Sequence, residues 1–543
     1  MKFIKKILLV NNIKLPVNAS AKEAFSVARR TLRRGGLDSF AEDYVIYRRS
    51  VDARRKPDIF YVYTIAVSGD FPDIPLDLQK KISISVEEQK PFVIPELGET
   101  VLSAPPVVVG SGPCGLFAGL ILAEAGYKPI ILERGGSIQE RKVSVDRFNK
   151  EQILDPETNI QFGAGGAGTF SDGKLITRIN DGMSAYVLKK FVEFGAPEEI
   201  LYLAKPHIGT DILCVVVDRM LSRIKEFGGE VRYHTKLTDI DFVTSKIAKI
   251  STNMGDIPSG ALILAPGHSA RDTYEMLLAK GVAIEAKNFS VGMRIEHLAE
   301  DIDRSMYGRF AGNERLGHAE YTLSHNTKER GVYTFCMCPG GEVVAAASES
   351  GGVVVNGMSS HSRSGKNSNS AVVCSIFRED YGSDPIKAIE FQRKIERAAF
   401  LSGGKDYSAP IITFGDFVKG KALTEPGKVL PTYMDGKGVK LASPYEYLPS
   451  NVCDAIKNAI FDFDRKIKGF ADESALLTGS ETRTSAPLRI LRDDKTRLAL
   501  GFDNFYPAGE GAGYAGGITS AAIDGIRTSL AIMKKFKPYS KLG

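Results

Sequence analysis

VVVGSGPCGLFAGLILAEAGYKPIILERGG, residues 107–136, places three glycines between an apolar run and a helical pattern. In a strand–turn–helix unit, Gly110 permits the tight turn and Gly112 lets the backbone approach a pyrophosphate. Gly115 lets helix and strand pack closely. Glu133 ends a second apolar run at about the spacing of a ribose hydroxyl acceptor, and its charge disfavours a 2′-phosphate. The stretch therefore predicts an α/β unit that binds the ADP half of a dinucleotide.

Two further glycine-rich segments bear on the choice between NAD and FAD. They are NIQFGAGGAGTFSDGKL, residues 159–175, and NFYPAGEGAGYAGGITSAAIDGIR, residues 504–527. A resident flavin needs walls from distant segments, whereas an NAD domain completes its site mostly within two mononucleotide halves. Successive N–H groups suit phosphate or flavin oxygens, and the helix start after the last glycines suits the flavin N1–C2=O edge. We therefore expect FAD, with NAD(P)H at most a transient co-substrate, because the sequence has no second complete GxGxxG domain, with its own strand, helix and acid, for NAD(P)H.

The three loops supply most of the predicted cofactor-binding residues. These are Gly110, Ser111, Gly112, Pro113, Cys114, Gly115, Glu133, Arg134, Gly163, Gly165, Gly166, Gly168, Thr169, Ser171, Asp172, Gly173, Lys174, Gly509, Glu510, Gly516, Gly517 and Ile518.

The same loops, together with LILAPGHSARD, resemble FAD-dependent dehydrogenases of the glutathione-reductase-like superfamily. They are most similar to the bacterial group known as uncharacterised FAD-dependent, or NAD(FAD)-utilising, dehydrogenases. RGVYTFCMCPGGEVVAAASE, VVNGMSSHSRSGKNSNSAVV and GSETRTSAPLRILRD are similar to that group too, so the resemblance covers essentially the whole chain.

The resemblance implies a Rossmann-like FAD-binding domain interrupted by an inserted α+β substrate domain. It also implies backbone contacts to adenine from Lys236 and Leu237. Ala265, Pro266 and Gly267 take a structural role after a strand, although Pro266 and His268 stand where the superfamily usually has Thr and Gly.

The fold class that we predict is α/β, with five regions along the chain. These are an N-terminal α+β module (1–70), a linker (71–104), the first part of the FAD domain (105–290), the inserted substrate or cap domain (291–480) and the second part of the FAD domain (481–543). Within them, AKEAFSVARRTLRR has helical spacing and EVRYHTKLTDID is predicted as one strand.

Composition limits the classes of function. Of 543 residues, 43% are hydrophobic and 25% charged, as in a soluble globular protein. The net charge of +6 does not require nucleic acid, and the six cysteines have no disulfide-framework spacing. No apolar run has the length of a membrane span. We expect a cytoplasmic protein with a small-molecule substrate, no membrane partner and no need for nucleic acid; the sequence is silent on oligomeric state.

Candidate catalytic residues are less well defined, and no general base is identified. Arg294, Arg363 and Arg483 lie in segments expected near the substrate, and a guanidinium suits a carboxylate, so the substrate would be anionic. Interdomain salt bridges are the alternative. Cys336 and Cys338 could form only a strained bridge, so packing is favoured over redox chemistry. The histidines have no metal-ligand spacing, so no metal is expected.

Together these features predict an FAD-dependent oxidoreductase, a dehydrogenase or reductase with tightly bound FAD. Two alternatives stay open. One is a flavin-dependent RNA-modifying protein that uses the basic N-terminal module, and the other is a non-catalytic flavin-binding sensor or interaction protein.

Overall fold

The computed structural model describes residues 5–54, 57–89, 92–177, 182–420 and 424–540. The N-terminal elements are β1 (Lys5–Pro16), α1 (Ala21–Arg34), β2 (Ala41–Asp52), β3 (Phe60–Gly69), α2 (Leu76–Lys81) and β4 (Ile84–Gln89). The strands form an antiparallel sheet in the order β2-β3-β1-β4. The helix predicted from AKEAFSVARRTLRR is α1, which buries Ala24, Ala28 and Leu32.

The region 71–104 is more than the connection expected from its prolines. It contains α2 and β4, and β4 completes the N-terminal sheet by pairing with β1. The sequence pattern of β4 is weak because only Ile84 among its hydrophobic residues is buried, while Val86 is 39% exposed. The basic surface of the module is partly neutralised, since Arg33 pairs with Asp38 at 3.2 Å. Two further basic residues of this module, Arg55 and Lys56, lie outside the described residues.

The remaining elements follow in chain order. The first group is β5 (Thr100–Val101), β6 (Val107–Val109), α3 (Pro113–Glu124), β7 (Ile130–Leu132), α4 (Ile138–Glu151), α5 (Gly182–Glu193), α6 (Thr210–Glu226), β8 (Glu230–Arg232), β9 (Leu237–Val243), β10 (Lys246–Thr252), β11 (Gly255–Pro258), β12 (Leu262–Leu264) and α7 (Arg271–Ala279). The second group is β13 (Ile284–Ala286), β14 (Phe289–Leu298), α8 (Ala299–Tyr307), β15 (Ser324–Asn326), β16 (Gly331–Cys338), β17 (Glu342–Ala345), β18 (Val355–Met358), β19 (Asn367–Ile376), α9 (Arg378–Tyr381), α10 (Pro385–Ser402), β20 (Ala409–Thr413), α11 (Phe414–Lys419), β21 (Val439–Leu441), α12 (Ser450–Lys466), β22 (Leu476–Glu481), β23 (Leu488–Ile490), β24 (Phe505–Pro507), α13 (Ile518–Lys535) and β25 (Phe536–Lys537). Short 3₁₀ helices cover Asp38–Phe40, Ala167–Phe170, Glu198–Leu201, Gly308–Phe310, Tyr433–Gly436 and Pro444–Glu446.

A parallel sheet in the order β24-β12-β6-β7-β8 positions the glycine loops. Its central strands are continuous apolar runs such as VVV and LIL, as expected for parallel strands buried on both faces. Helix α3 is apolar on all sides and packs against α13. The chain leaves this sheet after β12 and returns only at β24, so distant segments share one layer.

The stretch EVRYHTKLTDID was predicted as one strand, and this is wrong. His234 has φ of 52°, a left-handed conformation that breaks the strand. The stretch therefore divides into β8 of the parallel sheet and β9 of a separate antiparallel sheet, ordered β11-β10-β9.

A second large sheet, ordered β15-β16-β19-β14-β22-β20-β21, faces the parallel sheet across the cavity described below. Every residue of β14 except the last is buried, and β19 is nearly as enclosed, so these strands form the centre of a second core. Helix α12 packs against strands of this sheet. Over the described ranges, no helix combines the length and apolar character needed to cross a membrane.

Candidate functional site

A cavity of about 330 Å³ lies at the carboxyl ends of the parallel strands. Val109, Leu132, Ala265 and Ala508 line it at or just after the ends of β6, β7, β12 and β24. In open α/β sheets, ligands bind in this crevice. The opposite wall comes from the second sheet and its loops. Its lining residues include Phe335, Cys336, Asn356, Glu481, Arg483 and Thr484.

Two helices begin at this cavity. Helix α3 starts at Pro113 and α13 starts at Ile518, and both residues line the cavity, as do Gly112, Gly516 and Gly517. A helix N-terminus presents unpaired N–H groups and the positive end of its dipole, which favours phosphate or another anionic group. The structure therefore brings the first and last glycine loops together around one space.

Absent side chains shape this space. Gly110 has φ of 93°, and a Cβ there would lie 2.2 Å from the Ala265 carbonyl oxygen. A Cβ on Gly166 would lie 2.8 Å from Gly112 Cα, so the first two loops meet backbone to backbone. By contrast, a Cβ on Gly112 would lie 3.8 Å from its nearest neighbour, because that position opens toward the cavity.

Glu133 joins the first two loops. Its Oε2 accepts hydrogen bonds from Ser111 N–H (3.0 Å) and Ser111 Oγ (2.6 Å), and its Oε1 accepts from Gly135 N–H (3.0 Å) and Gly163 N–H (2.9 Å). Four hydrogen bonds fill the capacity of a carboxylate. The sequence predicted a ribose acceptor here; the structure instead gives Glu133 the role of holding the loops that surround the cofactor space.

Beside Glu133, two basic and two acidic side chains at the cavity form ion pairs with one another. Arg134 contacts Glu157 at 2.6 Å and forms two bonds of 3.0 Å to Asp272. Lys236 Nζ lies 2.6 Å from Asp272 and 3.0 Å from Glu157. The Lys236 N–H donates to Asn253 Oδ1 at 2.7 Å, so it is not free for adenine. Leu237 also lines the cavity.

Most predicted cofactor residues line this one cavity. They are Gly110, Gly112, Pro113, Cys114, Glu133, Arg134, Gly163, Gly166, Gly168, Ser171, Asp172, Gly173, Lys174, Lys236, Leu237, Ala265, Pro266, Gly267, Glu510, Gly516, Gly517 and Ile518. Ser111, Gly115, Gly165, Thr169 and Gly509 lie behind the lining. Gly115 and Gly509 allow close packing there, and the Gly509 N–H donates to Asp524 at 2.8 Å.

The three candidate substrate arginines are held by ion pairs. Arg294 is fully buried and bonds Glu481 at 3.0 Å, while Arg363 pairs with Asp172 at 2.6 Å; neither lines the cavity. Arg483 does line it, but its Nη2 lies 3.1 Å from Glu396 and its Nη1 donates to Ser348 Oγ. The expectation that these side chains bind an anionic substrate is therefore corrected, because buried carboxylates already neutralise them.

Asp172 sits inside a second compensated cluster. Burial acts to raise its pKa, but Lys174 and Arg363 outweigh burial and hold the pKa of Asp172 below its usual range. Lys174 Nζ lies 2.6 Å from Asp172, and Ser359 Oγ donates to the same carboxylate. Asp172 thus ties the second glycine loop to residues that follow β18.

Glu510 differs from the other acids of the cavity. Its side chain is half-buried and has no hydrogen-bond or ion-pair partner among the described residues. Burial raises the pKa of Glu510 to about 7. Nearby, His268 also lines the cavity; burial, followed by the charges of Arg483 and Arg271, lowers the pKa of His268 to about 3, so its imidazole is neutral.

Sequence reasoning missed part of the wall. Gln161, Phe162, Phe335 and Asn356 line the cavity but lie outside the predicted site. Phe335 and Asn356 fall in segments similar to the dehydrogenase group, and that similarity was the only available signal, because ordinary strand residues have no chemical signature. His207, which lies next to the glycine turn at Gly209, does not line the cavity.

These features fit FAD. Two helix N-termini meet near backbone-only glycine contacts, and an open space lies beside Gly112 where a Cβ would intrude on a ligand. Polar groups from the second sheet close the far side, as the larger ring system of a flavin requires.

The match to a protein family agrees with this cofactor. Residues 288–484 match the family described as FAD-dependent protein, C-terminal domain-like, and residues 8–68 match a domain of unknown function, DUF8436. Among solved structures, glycine oxidase from Bacillus cereus ATCC 14579 has a TM-score of 0.35 at 9% identity, covering 80% of this chain and 99% of that one. CtdE in complex with FAD has a TM-score of 0.31 at 11% identity, covering 81% and 84%. At these TM-scores, the two structures carry no argument about this chain.

A protein of Clostridium beijerinckii (strain ATCC 51743 / NCIMB 8052), described as "Uncharacterized protein", is 46% identical over 494 residues, which cover 90% of this chain and 92% of that one. The chain therefore belongs to the family of that Clostridium protein, its residues 288–484 match the domain of FAD-dependent proteins, and its cofactor is FAD.

Proposed function

We propose that this protein is an FAD-dependent oxidoreductase that exchanges an electron pair with a small molecule. The observation that carries the proposal is the meeting of the α3 and α13 N-termini at one cavity. When bound, FAD supplies two-electron chemistry at its isoalloxazine ring. Gly112 and Pro113 would hold the pyrophosphate, Leu237 would contact the adenine end, and Gly517 and Ile518 would face the flavin.

Glu510 is the proposed proton-holding group. A carboxyl whose pKa is raised to about 7 gains or loses a proton readily near neutral pH, as general acid–base chemistry requires. Because it has no partner among the described residues, its proton is not committed to a neighbour.

The proposed substrate is recognised by neutral polar groups. Each cation that lines the described cavity is paired with a carboxylate: Arg134, Lys174, Lys236 and Arg483. The Asn356 Oδ1 accepts from Arg294, which leaves its amide N–H₂ for a ligand, and the Thr484 hydroxyl donates to the Ser290 carbonyl and keeps its acceptor lone pairs.

The test is a comparison of two glycine variants. In Gly112→Val the new Cβ lies at the open cavity, 3.8 Å from its nearest protein atom. Gly427→Val adds the same side chain at an exposed position away from the cavity, where a Cβ has no neighbour within 4 Å. We expect Gly112→Val to fold but to purify without the visible absorbance of a flavin, while Gly427→Val keeps it. A folded Gly112→Val that retains full FAD would contradict the proposed site.

The wild-type protein is then mixed anaerobically with NADH, NADPH and a panel of small oxidisable compounds. Bleaching of the flavin absorbance by at least one of them is the expected result. Full absorbance after every addition would favour a flavin-binding protein without turnover.

A further inference from the structure

We propose that Cys336 and Cys338 form a reversible dithiol–disulfide couple at the wall of the FAD cavity, which exchanges with small-molecule disulfides. The exchange goes beyond the proposed function and does not need electrons from the flavin.

The strand geometry exposes one cysteine of the pair and hides the other. The pairing of β16 with β19 shifts register between Phe335 and Cys338, and Cys336 has φ of 46°. Such a bulge re-aims a side chain away from the regular strand direction. Cys336 accordingly lines the cavity and is half-buried, whereas Cys338 is fully buried.

The two thiols are unequal in acidity. The Cys338 Sγ donates to the Cys336 carbonyl oxygen at 3.3 Å. This contact between the two cysteines, together with the positive charges of Arg294 and Lys174, lowers the pKa of Cys336 to about 7 against the opposing effect of burial. The same contact raises the pKa of Cys338 well above its usual value. Since the thiolate is the nucleophile, Cys336 is the attacking residue and Cys338 the resolving residue.

Arg294 fixes this pair in place. Its Nη1 donates to the Cys336 carbonyl at 3.0 Å and lies 4.0 Å from Cys338 Sγ. The guanidinium is itself held by Glu481 and by Asn369 Oδ1, at 3.0 and 2.7 Å. This explains a buried arginine that does not reach the substrate space: it is a positioning residue for the cysteine pair.

The other cysteines have a different environment. Cys114, Cys214, Cys374 and Cys453 are all buried, and burial raises the pKa of each. Cys114 also lines the cavity, but its buried thiol stays protonated. Reactive cysteines are accessible and have lowered pKa values, so Cys336 alone among the six meets both conditions.

The exchange balances in two steps. Cys336 thiolate attacks one sulfur of a small disulfide, forms a mixed disulfide and releases one small thiolate, which takes up a proton. Cys338 then loses its proton and attacks Cys336 Sγ, the internal S–S bond forms, and the second small thiolate leaves and is protonated. The small disulfide gains two electrons and two protons, which the two cysteines lose.

A short Cys-x-Cys loop makes the internal bond strained, and strained disulfides are the more easily reduced ones. Two small thiols therefore reverse the reaction readily. The same strain that disfavours a permanent structural disulfide between Cys336 and Cys338 favours a disulfide that forms and is reduced reversibly.

The experiment titrates the FAD-containing protein with glutathione and glutathione disulfide at varied ratios. Samples are quenched in acid, denatured, alkylated with N-ethylmaleimide and measured by mass spectrometry. We expect two alkylation sites, both in the peptide that contains Cys336 and Cys338, to disappear together at one midpoint. Cys338→Ala should instead accumulate glutathione on Cys336, and Cys336→Ala should leave Cys338 alkylated at every ratio. Cys374→Ala, a buried cysteine of the adjacent strand, should titrate like wild type.

Wild-type protein that keeps all six alkylation sites across the range would overturn the proposal, as would unchanged exchange in a folded Cys336→Ala. Thermal midpoints establish that each variant folds, and Cys336→Ser replaces the alanine variant if that one does not. The flavin spectrum separates the two proposals: unreactive cysteines in a flavin-containing protein reject only the couple, and reactive cysteines without flavin reject only the oxidoreductase.

Discussion

At the residue scale, Gly115 shows how a missing side chain lets the first loop close. A Cβ at this position would lie 1.9 Å from the Gly110 carbonyl oxygen, which is backbone and cannot move aside. We expect Gly115→Ala to lower stability by about 1–3 kcal/mol, the range for overpacking, and to weaken FAD retention. Thermal unfolding and the ratio of flavin to protein after gel filtration measure both effects.

Gly119→Ala is the matched control on the same helix. Its nearest neighbour would be Ile131 Cδ1 at 2.5 Å, the far end of a flexible side chain. The smaller effect should therefore belong to Gly119→Ala; equal losses in the two variants would mean that the Gly110–Gly115 contact has no special part in forming the loop.

Glu510 makes a prediction about pH. Its folded pKa of about 7 exceeds the ordinary value of 4.5, so the protein contains a disfavoured charge when this carboxyl ionises. The stability contribution is complete below about pH 4.5 and is lost as pH rises toward 7. In the flavin-free protein, Glu510→Gln should remove this loss and be more stable at pH 8 by at most about 3 kcal/mol.

The measurement is denaturant unfolding between pH 5 and 8, compared with Glu329→Gln, which removes a carboxylate from an exposed position. The curves of wild type and Glu510→Gln should diverge as pH rises, while those of wild type and Glu329→Gln stay parallel. Parallel curves for all three proteins would show that the Glu510 carboxyl ionises in the fold at no cost.

The site residues that the sequence predicted correctly are those that act through their backbone. Gly112, Gly166 and Gly517 are visible in sequence because a glycine pattern specifies a backbone geometry. Arg294 and Arg363 were misplaced because an arginine is equally suited to a substrate carboxylate and a protein carboxylate, and only folding shows which one is near.

At the element scale, buried ion pairs fasten α7 and α10 to the end of β22. Glu396 on α10 bonds Arg271 through both oxygens at 2.8 Å and also contacts Arg483 at 3.1 Å. Glu396→Gln leaves two buried guanidinium groups short of a negative charge. We expect a loss of about 3–5 kcal/mol, measured by denaturant unfolding, because removing one partner of a buried pair strands the other.

Glu390→Gln provides the control on the same helix. Glu390 pairs with Arg393 at 2.8 Å, but its side chain is 48% exposed, and exposed pairs contribute about 0–1 kcal/mol. Similar losses in the two variants would indicate that α10 is held by its apolar contacts and not by the Glu396 cluster.

Elements with a strong pattern were predictable and those defined by context were not. Helix α1 matches its predicted segment, Ala21–Arg34, because its apolar spacing is regular. Strand β4 has little pattern of its own and exists because the edge of β1 accepts it, and the division between β8 and β9 depends on one left-handed residue, His234.

At the scale of the whole molecule, the cavity depends on segments that are far apart in the chain. Strand β24 joins β12, and α13 packs on α3, so the C-terminal residues complete a layer begun near residue 107. Sequence predicted this convergence from the glycine loops, but it could not predict the pairing of the opposite wall, which depends on contacts between β14, β19 and β22.

Gly525 tests whether the two helices act as one unit. A Cβ there would lie 2.1 Å from the Cys114 carbonyl oxygen, so Gly525→Ala should push α13 from α3 and displace both N-termini at the cavity. We expect at least about a tenfold weaker FAD affinity, equivalent to about 1.4 kcal/mol. Lys534→Ala, exposed at the end of the same helix, should retain wild-type affinity. Because Gly115→Ala disturbs the same contact region, the double variant should lose less FAD affinity than the two single losses added together. Additive losses would mean that each helix holds its part of FAD independently.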